Sequence, residues 1–207
     1  MKSNRTLILN TLLIVIFYSC TPENPTPNPT SLTIGQSYQG GKIAYIDASG
    51  LHGLIAAPSD QGTGIPWGCY GTLISGADGT AIGTGNQNTI DIMNGCSTAG
   101  IAARLCGDLV LGGYSDWYLP SKDELNKLYE NRTAIGGFAN DYYWSSTEIL
   151  TNIAFLKNFG FGNQENLGTA FTAYVRAIRA FSAVKSIEDG GTGATTQQTA
   201  INAITGT

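Results

Sequence analysis

Histidine occurs once in this chain of 207 residues, and cysteine four times. A single histidine, His52, rules out histidine-rich metal sites, and no C-x-x-C pair offers a zinc ribbon or a dithiol couple. Charge is scarce as well: only 13% of residues are charged, and the 11 Lys and Arg residues stand singly. No basic patch therefore forms, and a net charge of −4 with a pI of about 4.8 argues further against nucleic acid as a partner. The chain also lacks a G-x-S-x-G elbow, a Walker lysine and a D-x-D-x-D-G loop. As a general base His52 would need a nucleophile and an orienting group, and no motif supplies them, so it reads as a hairpin-turn residue. Residues 6–18 form an apolar run interrupted by Asn10 and too short to span a bilayer comfortably.

What is present points to export. Gly makes up 27 residues and 42% of the chain is hydrophobic, a turn-rich but core-forming balance suited to one exported β-containing domain. Lys2 and Arg5 precede the apolar run, which closes at Ser19-Cys20, an arrangement similar to a bacterial lipobox. Residues 1–20 are thus read as a lipoprotein signal, with Cys20 the lipidated residue. Residues 21–31, "TPENPTPNPTS", hold four prolines and read as an extended tether. The folded domain is expected over residues 32–182. Residues 183–207 change composition again, and "GGTGATT" is similar to a motif of phage tail-fibre proteins, which makes a trimeric stalk or a link to a further segment the alternative expectation. The expected location is exported and membrane-anchored, periplasmic or surface-facing.

Within the domain, "GKIAYID" and "HGLIAAP" form a hairpin by their strand-like composition. Residues 59–88 are rich in Gly, Thr, Ser and Asn and read as a long loop around Trp67. "NTIDIMNGCSTAGIAARLCGDLVLGG" spaces its apolar residues for one helix, with Gly95 a potential break. In "GGYSDWYLPSKDELNKLY", Ser121 and Glu124 form a capping box for a second helix. "YYWSSTE", "IAFLKNF" and "AYVRAIRAF" then read as three strands. Together these predict an α+β domain with a mainly antiparallel sheet, two helices and long loops.

The chemistry these residues offer is thin. Set apart from Cys20, three cysteines allow one disulfide. Were Cys96 and Cys106 to bracket one helix they would stand about 15 Å apart, against ~5.5 Å for bridged Cα atoms. Cys69 with Cys96 is the bridge expected, although three thiols leave the choice open. The carboxylates Asp116, Asp123 and Glu124 could serve acid–base work or Ca²⁺, but capping, the helix dipole and the turn before Trp117 account for them. Pro120 leads rigidly into the helix. In the loop of residues 76–88, Asp78 and Asn86 offer oxygens, and Ca²⁺ is conceivable there but supported by no motif, so no cofactor and no metal are expected. Trp67, Tyr70, Asp78, Asn86 and the turn carrying Asn163, Gln164 and Asn166 are the ligand-binding candidates, because aromatics and amides suit sugars.

"GGYSDWYLPSKDELNKLY", followed by "YYWSSTE" and "YVRAIRAF", resembles the Legionella collagen-like (Lcl) C-terminal domain family, also described through Fibrobacter major paralogous domains. The shared pattern is D-W-x-L-P, a helix with E-L, Y-W-S-S and V-R-x-I/V-R, covering residues 34–182. It makes Asp116, Trp117, Pro120, Ser121, Glu124, Trp144, Arg176 and Arg179 structural markers. The resemblance implies a C-type-lectin-like fold related to formylglycine-generating enzymes, on lipoproteins and adhesins, one of which binds sulfated polysaccharides. Many relatives pair a cysteine between the last two arginines with one in the first helix. Here Ala177 stands there, so Cys106 would lack that partner. The E-P-N, Q-P-D and W-N-D motifs of Ca²⁺-dependent lectins are absent, as is the reactive cysteine pair of the enzymes. The expectation is a non-catalytic module binding a polysaccharide or another envelope or surface partner.

Overall fold

A computed structural model describes residues 32–183. The segments carrying Cys20, the tether and the fibre-like tail lie outside the described residues. In chain order the elements are β1 (Ser37–Tyr38), β2 (Gly41–Ile46), β3 (His52–Ala56), β4 (Gly62–Pro66), α1 (Gly85–Gly95), α2 (Ala102–Gly107), α3 (Lys122–Glu130), α4 (Arg132–Ile135), β5 (Tyr142–Leu150), β6 (Ile153–Asn158), β7 (Gln164–Gly168), β8 (Thr172–Val175) and β9 (Ile178–Ser182). The α+β expectation is met, with many strands and few short helices, as in a C-type-lectin-like fold. Among the described residues no helix is long and apolar enough to cross a membrane.

The strands form two sheets rather than one. The first has the order β1-β2-β3-β9 and is antiparallel throughout. The second runs β4-β8-β5-β6-β7 and includes a parallel pairing of Tyr143 with Tyr174. One hydrophobic cluster gathers Trp67, Trp117 and Trp144 with Ile43 and Ile55, and another gathers Tyr143, Phe159, Leu125 and Leu128 with Leu54. Each such side chain, fully withdrawn from water, contributes roughly 1.5–3 kcal/mol before the entropy of ordering is subtracted. Both described ends bond to the β2–β3 hairpin: Gly35 N donates to Ile43 O at 2.8 Å, and Ala183 N to Leu51 O at 2.6 Å.

Four sequence expectations need correction. The single helix divides: α1 stops at Gly95, where a Cβ would meet Ile74 at 2.9 Å, and the chain is drawn aside by Cys96 bonded to Cys69 before α2 begins. With α4 this makes four helices among the described residues, where two were expected. Residues 59–88 contain β4 and the first turn of α1, because "GTGIP" borrows its hydrogen bonds from β8 despite poor strand composition. "AYVRAIRAF" is two strands in two sheets, parted at Arg176-Ala177. The turn expected at residues 163–166 is largely the edge strand β7. The cysteine bridge joins Cys69 to Cys96 with Cα atoms 5.6 Å apart, leaving Cys106 buried and free. The two glycines of "GGYSDW" are required for different reasons: at Gly112, with φ +64°, a Cβ would lie 2.4 Å from Gly40 Cα, while Gly113 has open space but a φ of +83°.

Candidate ligand-binding surface

The motif "DWYLPSKDE" builds scaffold. Ser121 Oγ accepts from Glu124 N while Glu124 accepts from Ser121 N at 2.7 Å, closing the capping box. Glu124 does more: wholly buried, it also accepts from Gly83 N at 2.9 Å and Tyr118 OH at 3.3 Å. Ser121 Oγ donates to Ala81 O and Asp123 N to Thr80 O, so the start of α3 clamps the loop of residues 76–84. Burial raises the Glu124 carboxyl above its ordinary pKa, against the pull of those donors. Trp117, Pro120 and Trp144 are buried; Trp117 Nε1 donates to Leu111 O and Trp144 Nε1 to Ile65 O.

The two arginines of "VRAIR" each hold an aspartate that is distant in sequence. Arg179 makes a two-pronged pair with Asp116, at 2.7 and 2.8 Å, and stacks over Tyr114. That hydrogen-bonded guanidinium holds the Asp116 carboxyl below the ordinary range. Arg176, 1% exposed, donates to Asp60 Oδ1 at 2.7 Å and to the carbonyls of Ala57 and Gly137, with Phe138 against its plane. Asp60 in turn accepts from Tyr143 OH at 3.0 Å. Both pairs join loops to the sheets; the Arg176 pair is largely buried, whereas Asp116 stays 57% exposed with both oxygens held by Arg179.

The ligand candidates named from sequence do not form one surface. Trp67 is removed from them: it is fully buried, its Nε1 donating to Ser145 O at 2.8 Å, because β4 turns it into the core. Tyr70, Asp78 and Asn86 are exposed, but Asn86 lies on the first turn of α1, and Asn88 holds Gly79 by both its N–H and C=O. Among the described residues no three His, Cys, Asp or Glu side chains converge as metal ligands. At the hairpin turn, Ser49 Oγ donates to Asp47 at 2.5 Å and lies 3.3 Å from His52 Nδ1. The aspartate rather than the imidazole takes the serine proton, so this exposed trio is a turn and not a nucleophile relay.

Gln164 and Asn166 do meet other groups. In the antiparallel register Gln164 faces Lys157 and Asn166 faces Phe155, which puts the four side chains on one face of β6 and β7. The α3 helix lies against that face: Lys122 Nζ stands 5.3 Å from the Phe155 ring centroid, and Lys157 Nζ 4.6 Å from that of Tyr129. Arg132 stacks on the same tyrosine at 3.9 Å. Phe161, 89% exposed, projects from the β6–β7 turn. Asn163 is turned away to the Glu165 side chain. Tyr70 belongs elsewhere, near Asn152, at the Ile153–Gly168 end of the ladder; the Lys157–Gln164 end is four residues, or about 13 Å, away.

Lys157 is the unusual group. It is 5% exposed, and among the described residues no carboxylate lies within ion-pair distance of its amine. Burial lowers its pKa; the charge of Glu130 opposes that shift and that of Arg132 adds to it. Sequence reading missed Lys122, Tyr129, Arg132, Phe155 and Lys157 because their meeting depends on register and on α3 packing. The only local signal was a lone lysine inside the apolar run "IAFLKNF". Residues 57–179, more than half of the chain, match the family model described as the Lcl C-terminal domain. That span includes the whole α3–β6–β7 surface and omits β1, β2 and β3. No curated protein matches the chain.

Proposed function

Because the chain belongs to the Lcl C-terminal domain family, whose members are surface-associated binding or structural modules, we propose that it is an exported, lipid-anchored and non-catalytic protein that binds an acidic polysaccharide on the α3–β6–β7 face. The observation that carries this reading is Lys157: a buried cation without a carboxylate partner keeps its charge only at a cost, which an anionic group offsets on binding. Around it stand the features sugars use, the half-buried ring of Phe155 for stacking and the amides of Gln164 and Asn166 for hydroxyl groups. Arg132 and Lys122 extend the positive character along the face.

A glycan array of purified residues 31–185, with and without Ca²⁺, tests the reading. Retention of uronic-acid or sulfated glycans that weakens with salt is expected, and no retained glycan in either condition overturns it. Lys157→Met should reduce that binding by about tenfold or more, in keeping with the ~1.5–3 kcal/mol of a charge-assisted bond. Its melting temperature should hold or rise, since the variant removes an unpaired buried charge. A variant that melts earlier while binding normally assigns Lys157 to the scaffold instead. Binding should also fall as pH rises through the lowered Lys157 pKa, below the 10.5 of an ordinary lysine, because only the ammonium attracts an anion.

A further inference from the structure

At the other end of the β6–β7 ladder, three of the largest exposed apolar side chains stand together. Tyr70 is 71% exposed, Leu73 59% and Leu150 61%. Two bonds lay their segments side by side: Gly71 N donates to Asn152 Oδ1, and Ile74 N to Glu148 Oε2 at 2.7 Å. Leu73 and Leu150 fall between those bonds. Glu148 N also donates to Ala77 O, and the disulfide to Cys96 fixes the base of the loop at Cys69. The side chains are thus held outward by a braced loop, not left there by a slack one.

No charged residue occurs in residues 69–77 or 149–152, and the sequence there is Tyr, Leu, Ile, Gly, Thr, Ser, Asn, Cys and Ala only. Such a surface offers nothing to an ionic partner. A second copy of the chain is a poor fit for size: three side chains present at most roughly 500 Å², against about 800 Å² per partner in a stable interface. A lipid bilayer sets no such minimum, and tyrosine with leucine suits the boundary between headgroups and acyl chains.

We propose that Tyr70, Leu73 and Leu150 form a membrane-touching tip, which inserts shallowly into the bilayer that holds the N-terminus. The inference rests on the lipid-anchored reading. The eleven residues 21–31 reach at most about 40 Å, so the tip meets the bilayer at high effective concentration and a weak insertion suffices. Since the tip carries no charge, contact is with the apolar boundary of the bilayer and is indifferent to salt.

The test uses the full chain with phosphatidylcholine vesicles, some with brominated acyl chains as quenchers. Trp67, Trp117 and Trp144 are buried, so Leu73→Trp adds the single exposed indole. Its emission should be quenched by brominated lipid, as for an indole at the headgroup–acyl boundary, and unchanged by added salt, and Leu150→Trp should behave alike. Val110→Trp, at a 72% exposed site outside the tip, should stay unquenched. A chain that floats with vesicles while Leu73→Trp is unquenched overturns the tip and leaves the anchor standing. Failure to float overturns both. A concentration-dependent blue shift without lipid shows instead that a second copy covers the tip, and likewise overturns the proposal.

Discussion

Replacing Arg176 with methionine should lower stability by about 3–5 kcal/mol, the cost of stranding the other member of a buried ion pair. Arg176 ties three parts of the chain together: Asp60 through its Nε, Ala57 through one terminal nitrogen and Gly137 through the other. Without it Asp60 keeps only Tyr143 OH, and two carbonyls lose their donor. Arg176→Lys should recover a minor part, because one ammonium cannot reproduce a planar fork reaching three directions. Pairing Arg176→Met with Asp60→Leu should return much of the loss, since the stranded charge is then gone. Denaturant midpoints for the three variants test this; equal losses in the single and double variants contradict it.

Glu124→Ala should cost about 2–3 kcal/mol, since the buried donors Ser121 N and Tyr118 OH and the donor of exposed Gly83 each lose roughly 1 kcal/mol of bonding. Glu124→Gln keeps one acceptor oxygen, enough for Ser121 N or for Gly83 N and Tyr118 OH but not for both sets, and turns its NH2 on the other, so it should recover only part of the loss. The pH profile separates a cap from a buried charge. Burial raises the folded-state pKa of Glu124, and of Glu148, above 4.5. Their contribution to stability is therefore complete below pH 4.5 and lost as pH rises through the raised values. Melting temperature should hold or climb as pH falls from 7 toward 4.5. Asp116 acts the other way: Arg179 lowers its pKa, so its contribution is present above 3.8 and disappears as pH falls through the lowered value. Glu124→Gln should flatten the upper part of this profile, and a profile identical to that of the wild type contradicts the assignment.

These two residues also mark what the sequence could tell. The Ser121–Glu124 box spans four residues, so one local pattern specified it, and the β2–β3 hairpin was legible for the same reason. Asp60 and Arg176 are 116 positions apart, and nothing near either names the other. The alternation of residues 173–181 reads as an unbroken strand, yet the chain changes sheets where Ala177 N donates to Gln61 Oε1 and Ala57 N donates to Ala177 O. Periodicity reports which way side chains point, not which neighbour supplies the hydrogen bonds. β7 was hidden because "QENLG" is a polar edge strand with only β6 beside it. Of the proposed surface, Gln164 and Asn166 were visible as amides, whereas Lys157 beneath Tyr129 required the packing of α3.

The attachment of both described ends to one hairpin matters once the protein is pulled. Tension applied between those ends enters at Gly35 and Ala183 and closes through β2 and β3, a short mechanical circuit. The five-stranded sheet, with the Lys157 face, lies outside it. Stretching the chain should therefore peel the edges of the first sheet while the second, and the face it carries, keeps its shape.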